Sequence, residues 1–329
     1  MTTTVAVPRP NALNRAARIV LFAVLAIVVY AIVLWVALQQ SWLTGSDALP
    51  SNQAFGVAIQ QTINALSIGA IYALIALGYT MVYGIIELIN FAHGDVFMVS
   101  AFLAMGVTVV IFGQVPGSDI TNIPFLILVL AVALLLVMPA TGLLNMAIER
   151  VFYRPFRGGN RLAPLITAIG VSFILEDIGL AWKGPNYVNF PDVMPHSDAF
   201  AIGAIDFQWN KMIVLIITVP VLLVLLWLVQ KTRQGKAMRA TAQDMDASAI
   251  MGIDVNRTIS FTFMIAGCLA GAAGLLYSLY VTTVRFDQGF QLGLIAFTSA
   301  VLGGIGNLPG AVLGAILIGL IQAFNEGLN

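Results

Sequence analysis

Cysteine is almost missing from this chain: Cys268 is the only one in 329 residues. That excludes an intramolecular disulfide and any metal cluster built from several thiolates. Histidine is nearly as scarce, since His93 and His196 are the only two and neither belongs to an HExxH zinc signature. Charge is the third shortage. Asp, Glu, Lys and Arg supply 9% of the residues and apolar side chains 60%, against about 25% and about 45–50% in soluble domains. So few charges cannot cover a water-facing surface, and a mean hydropathy of +0.95 points to a membrane protein. Fifteen basic residues balance fifteen acidic ones, so no broad basic face is expected to attract nucleic acid. A Walker A loop is also missing: Gly235 and Lys236 are followed by Ala237, and no glycine lies five residues before Gly235. A transporter built from this chain needs ion coupling or a separate ATPase.

Long apolar runs are what the sequence has in abundance. A bilayer core about 30 Å thick takes about 20 apolar residues per helix. Runs at residues 19–38, 57–83, 96–112, 123–146, 162–182, 212–229 and 259–281 meet that need, followed by a glycine-rich stretch at 292–324. Gly306, Asn307 and Pro309 divide this last stretch, predicting a short re-entrant or broken helix and then a full span from about Ala311. The expected fold is an all-α polytopic membrane protein, a bundle of about eight transmembrane helices that includes the broken segment.

Basic residues set the orientation. Arg9, Arg15 and Arg18 precede the first run, Arg150, Arg154, Arg157 and Arg161 follow the fourth, and Lys231, Arg233, Lys236, Arg239 and Arg257 follow the sixth. These are twelve of the fifteen basic residues, and strict alternation of the spans puts all three groups on one side. The positive-inside tendency makes that side cytoplasmic, with the amino terminus inside. The expected location is a cell (inner) membrane, multi-pass. Trp42, Trp182 and Trp209 then fall at span ends on the opposite side, where interfacial aromatics belong. The first run exceeds the length of a cleavable signal core and is followed by Gln39, Gln40 and Trp42, so an uncleaved anchor is expected.

Outside the spans, residues 236–252 form the most informative segment. On a helical period Met238, Ala242, Met245 and Ala249 share one face, while Lys236, Arg239, Gln243 and Asp246 occupy another. Gly252 is a natural stop, and Asp254 a natural N-cap for the next span. An amphipathic helix on the lipid headgroups is one reading. Alanine and methionine without Trp, Phe or Leu suit a protein partner better than a lipid surface.

Inside the spans, NFAHGD (90–95) sets polar residues between two apolar runs. Glu87 and Asp95 are costly at bilayer depth and are expected at a membrane face or in a hydrated cavity. Gly94 permits a helix break. The segment is either a cytoplasmic turn or a broken helix beside a path or gate, with Asn90, His93 and Gly94 as its candidates. Asn307 to Val312 faintly repeats this segment, as internal repeats around a central site do. Tyr72, Tyr79 and Tyr83 share a helix face with Asn64 on its flank. They serve either ordinary packing or the lining of a path for a zwitterion. Adjacent Glu176 and Asp177 point about 100° apart and form no acid/base pair. Gly267 and Gly271, then Gly306, Gly310 and Gly314, recur at four-residue spacing and predict close helix packing.

Four blocks carry a family resemblance: GAIYALIALGYTMVYGIIELINFAHGDVFMVSAF (69–102), ERVFYRPFRGGNRLAPLITAIGVS (149–172), GKAMRATAQDMDASAIMGIDVNR (235–257) and FTSAVLGGIGNLPGAVLGAILIGL (297–320). In this order they resemble the LivH-type permeases, membrane subunits of ATP-driven importers of branched-chain amino acids. The resemblance implies two cytoplasmic ATPase subunits, a second related permease subunit and an extracytoplasmic binding protein. This chain would bind no cofactor itself, with ATP and Mg held in the partner ATPases. Residues 236–252 would then seat in an ATPase groove. The likeness spans residues 57–320, which suggests a permease domain at 57–329 with cytoplasmic loops at about 147–161 and 230–258, preceded by a tail, anchor and linker at 1–56. Family members usually carry a further span beyond the segment matching 311–324, so a fragment or an absent last span is expected.

Three function classes compete: an ATP-driven permease, an ion-coupled carrier or urea-like channel, and an intramembrane hydrolase. The hydrolase lacks a nucleophile with an aligned base, and the carrier has only Glu87 and Asp95 as intramembrane carboxylates. The first class is preferred, with branched-chain amino acids as cargo and urea, short amides or other amino acids as alternatives.

Overall fold

A computed structural model describes residues 27–38, 51–114, 120, 122–157, 162–191, 193, 198–202 and 205–328. Trp42, Arg161, His196, the three N-terminal arginines and most of the linker after the first anchor lie outside these residues. Eleven α-helices are described. They are α1 (Ile27–Leu38), α2 (Ser51–Ile86), α3 (Ala92–Phe112), α4 (Ile123–Ile148), α5 (Leu162–Lys183), α6 (Trp209–Lys231), α7 (Arg233–Gln243), α8 (Met245–Ile250), α9 (Val255–Val281), α10 (Gln288–Gly303) and α11 (Leu308–Leu328). Among the described residues seven helices are long and apolar enough to cross a membrane, while α1 and α10 are shorter apolar helices. Each expected span from residue 57 onward has its helix, usually a turn longer at one or both ends.

The helices alternate in direction, and two ends of the bundle result. At one end Arg157 reaches Asn256 at the start of α9, and the Arg239 guanidinium donates to the Val229 carbonyl at the end of α6. The two described basic clusters therefore share one end, as alternation requires; we call it the basic end. At the far end strand β1 (Val188–Asn189) pairs antiparallel with β4 (Thr283–Val284), and β2 (Asp198–Ile202) pairs with β3 (Ile205–Gln208). Trp182, half-exposed and beneath the Lys183 ammonium, belongs to this end.

α2 and α9 form the buried centre, while α5 and α6 turn large apolar side chains such as Phe173, Ile166, Leu223 and Trp227 outward. Lipid tails are as apolar as leucine, so close van der Waals contact rather than the hydrophobic effect must hold the centre together. Small residues make that possible. A Cβ at Gly271 would lie 2.9 Å from the Met138 Cα, and one at Gly267 2.9 Å from the Gly142 Cα, so α9 packs backbone to backbone on α4. Gly319 and Gly69 join α11 to α2 in the same way, a Cβ at Gly319 falling 2.8 Å from the Gly69 Cα. Gly310 and Gly314 pack on Gly303 of α10. Gly306 does not: its φ of +86° opens the turn before α11, so that glycine serves backbone conformation rather than packing.

Two interruptions mark the bundle. The chain leaves the helix after Ile86, with Glu87 at φ +51° and the interruption covering residues 87–91, and α3 begins at Ala92 beside Gly78 and Tyr79. The second falls between α10 and α11, where Gly304 and Gly306 have φ of +89° and +86°. α10 is only 16 residues long, about 24 Å, which fits the expected broken helix.

Candidate functional site

At the far end Asn64, Ile68 and Tyr72 of α2 face Tyr277 and Tyr280 of α9, Gln288 and Gln291 of α10, and Gln322 and Glu326 of α11 around a cavity of about 310 Å³. The Tyr72 hydroxyl donates to Gln322 Oε1 at 2.7 Å, and Gln322 Nε2 donates to Glu326 Oε1 at 2.9 Å. Asn64 Nδ2 donates to Gln61 at 3.0 Å. Ile68, Leu292 and Ile295 give the same cavity an apolar wall. Amides, hydroxyls and one carboxylate facing a branched apolar wall can receive a small molecule with both polar and apolar parts. Asn64 and Tyr72 were legible as candidates because they lie on one helix face. The glutamines and Glu326 come from elements that only the tertiary fold brings together, although Gln322 and Glu326 at i, i+4 in an apolar stretch were the available signal.

Toward the basic end Tyr79, Tyr83 and Asn90 line a second space of about 10 Å³, with Ile305 from the other interruption. It has room for about one water. Both breaks therefore meet at one place, and Gly84 confirms the proximity, since a Cβ there would approach the Gly306 Cα at 3.6 Å. Asn307 is exposed beside this junction and does not line it. Between the two cavities Tyr79 stacks edge-on against His93 at 4.8 Å and Phe297 at 5.9 Å between ring centres.

Gly94 does not break the helix. It lies in the first turn of α3, where a Cβ would come 2.9 Å from the Gly293 Cα of α10; the interruption comes earlier, at 87–91. Asp95 lies at neither a face nor in a hydrated cavity. It is fully buried, and accepts a hydrogen bond from Ser172 of α5. A carboxylate is tolerated there because it occupies the first turn of α3 and faces Gly289 in the first turn of α10: two helix N-termini carry positive partial charge toward it. Among the described residues no group of three or more His, Cys, Asp or Glu is placed to hold a metal ion.

The single helix expected over 236–252 is two. Asp244, in extended conformation (φ −159°, ψ 112°), ends α7 and caps α8 by accepting from Ala247 N at 2.9 Å. The carboxylate competes for backbone donors that helix continuation would use. Thr232 likewise caps α7, accepting from Gly235 N at 3.0 Å, and Asp254 caps α9, accepting from Arg257 N at 3.0 Å. Gly252, at φ +83°, closes α8 as expected. Three successive caps make a stiff zigzag. The break also divides the predicted apolar face: Met238 is 3% exposed and packs inside the chain, whereas Met245 is 37% exposed. Ala249 is exposed beside Ile250 and Met251, which are 86% and 81% exposed and were not among the expected contacts. Arg239 is tied to Val229, while Lys236, Ala242, Gln243 and Asp246 face outward.

A helical bundle that crosses the membrane many times, with a polar cavity on one side of an aromatic barrier and a capped, apolar-tipped segment beyond the other end, has the construction of a membrane transport subunit. Comparison with known proteins agrees. The family of branched-chain amino acid transport system permease components matches residues 61–328, and the chain belongs to that family. It is 38% identical over 269 residues to the high-affinity branched-chain amino acid transport system permease protein BraD of Pseudomonas aeruginosa, covering 81% of this chain and 85% of BraD. With the corresponding LivH of Escherichia coli K12 it shares 36% identity over 281 residues, 84% of this chain and 88% of LivH. The autoinducer 2 import system permease LsrC of Klebsiella pneumoniae is 28% identical over 168 residues, 49% of this chain and 47% of LsrC. The chain is thus a multi-pass membrane protein and a permease component.

Proposed function

We propose that this permease moves branched-chain amino acids inward, driven by two ATPase subunits that dock on its basic end, beside a second permease subunit. An extracytoplasmic binding protein delivers cargo to the far end. The basic end is then cytoplasmic, the amino terminus lies inside, residues 57–329 act as the permease domain and 1–56 as an added anchor.

The observation that carries this reading is the pair Ile250 and Met251, both more than four-fifths exposed on a segment held by three caps. Large apolar side chains at the exposed tip of a rigid segment want a partner. Methionine adapts to a protein groove, isoleucine adds a rigid apolar knob, and the stiffness of the capped segment lets the groove's motion reach the spans. An ATPase that changes its shape on binding nucleotide shifts the permease only through contacts that differ between the two states. The far cavity suits the cargo: its volume of about 310 Å³ is near the lower end of small-molecule sites, Glu326 offers a partner for an ammonium, and Ile68 and Leu292 one for a branched side chain. BraD and LivH, at 38% and 36% identity, bear names that specify this cargo.

The test is Ile250→Glu together with Met251→Glu. Purified with its partners, the double variant is expected to lose the ATPase subunits while the permease alone stays monodisperse and helical. Retention of the ATPases and of import would refute the docking surface.

A further inference from the structure

Along the end of α4 and the turns after it, a polar side chain recurs at every fourth position: Thr141, Asn145, Glu149, Tyr153 and Arg157. On a regular helix each such step drifts by about 40°, so the five would wind well around the cylinder. The π-helical segment Glu149–Tyr153 underwinds the chain at this point. All five nevertheless meet α9, Thr141 and Asn145 from the regular helix and Arg157 only after the 3-10 turn Arg154–Phe156. Thr141 packs under Gly267 and Gly271, and Asn145 Nδ2 donates to the Phe263 carbonyl at 2.7 Å. Glu149, fully buried, accepts from Ser260 through Oε2 and pairs with Arg157 through Oε1. Arg157 also reaches Asn256 at 3.3 Å, and Tyr153 lies 5.7 Å from the Phe263 ring. Tyr153 has a second partner: its hydroxyl donates to Asn90 Oδ1 at 2.7 Å, at the interruption before α3.

We infer that this stripe is the rod that carries movement of the docking segment to the junction of the two breaks, with Glu149 and Tyr153 as positioning residues. Asn256 and Ser260 occupy the first two turns of α9, directly after the cap Asp254 that ends the docking segment. Whatever tilts that segment tilts them. Glu149 ties them to α4, because both its oxygens are engaged; removing Arg157 would leave its buried charge uncompensated, and removing the Ser260 hydroxyl would leave one oxygen unbonded. Tyr153 passes the displacement to Asn90, a wall of the small basic-end cavity. Side chains bonded to one another across α4, α9 and the turn before α3 are displaced together between discrete arrangements, which is what a gate linked to nucleotide binding requires. π-segments recur where a helix must re-aim side chains at a working site.

The inference rests on the docking reading above, and the experiment separates them. The complete transporter, with partner permease, ATPases and binding protein, is reconstituted in proteoliposomes, and leucine import and ATP hydrolysis are measured together. Tyr153→Phe removes one oxygen. Basal hydrolysis, complex yield and thermal stability are expected to persist, while leucine imported per ATP falls about five- to tenfold, within the usual span of coupling between sites. Asn90→Ala is expected to do the same, and the double variant no worse than either single one, since both break one hydrogen bond. Normal import per ATP in Tyr153→Phe, or losses that multiply in the double variant, overturns the rod. If Ile250→Glu uncouples while Tyr153→Phe does not, docking stands and the rod falls; if Ile250→Glu stays fully coupled, docking itself falls.

Discussion

The two ends of α2 treat polar side chains in opposite ways. At the far end Asn64 and Tyr72 share a cavity of about 310 Å³ with amides and a carboxylate, and the Asn64 carbonyl oxygen there has no partner. Toward the basic end Tyr79, Tyr83 and Asn90 enclose about 10 Å³, and Asn90 is already engaged by Tyr153. Binding a solute needs room and unspent hydrogen-bonding capacity. Transmitting a displacement needs the reverse, groups already committed to neighbours on other helices.

That contrast predicts substitutions of graded severity. The scaffold common to both ends should be the most sensitive. Gly271→Leu would drive a side chain into the α4 backbone near Met138, where neither helix can retreat; overpacking costs about 1–3 kcal/mol or more, and the expected outcome is loss of monodisperse protein after detergent extraction. Normal yield would show that the centre is loosely packed. Next comes the docking tip. Ile250→Glu should reduce import in the complete transporter by about 30-fold or more, the loss expected of a hot-spot residue worth at least about 2 kcal/mol, with the permease still folded. Met245→Glu should uncouple less, because Met245 is more than half covered by its own chain; a larger effect there than at Ile250 would move the docking surface toward α7. The smallest effect belongs to the open cavity. Tyr72→Phe deletes the hydroxyl that holds Gln322, and a hydrogen bond worth about 0.5–1.5 kcal/mol changes affinity about two- to tenfold. Half-saturation for leucine, measured with binding protein in excess, should rise while import per ATP is unchanged. A fall in import per ATP instead would erase the distinction between the two ends.

Much of this was legible in residue order. Hydropathy located every described span from α2 onward, and Gly306, Asn307 and Pro309 marked the turn between α10 and α11. Asp254 and Gly252 were readable as cap and stop because those roles depend on local backbone geometry. Asp244 carried the same signal, yet the continuous Met and Ala periodicity across it pointed to one helix; a carboxylate that captures the Ala247 amide outweighs that periodicity. The polar stripe from Thr141 to Arg157 departs from a 3.6-residue template in its second half, where a π-segment and then a 3-10 turn re-aim Tyr153 and Arg157. Asp95 was misjudged for a different reason. A carboxylate's cost depends on the dipoles around it, and one of the two beside Asp95 comes from α10, nearly two hundred residues away in sequence.

The residue order by itself determined that the chain lives in a bilayer, where its helices run and which ends carry the positive charge, since these follow from the transfer of each segment from water to lipid. It also placed the chain within its family. Only the tertiary structure decided which polar groups are spent and which are free. That depends on partners brought together from distant helices, as when Tyr153 meets Asn90 and Gln322 meets Tyr72, and a hydrogen bond exists only once both atoms are within about 3 Å.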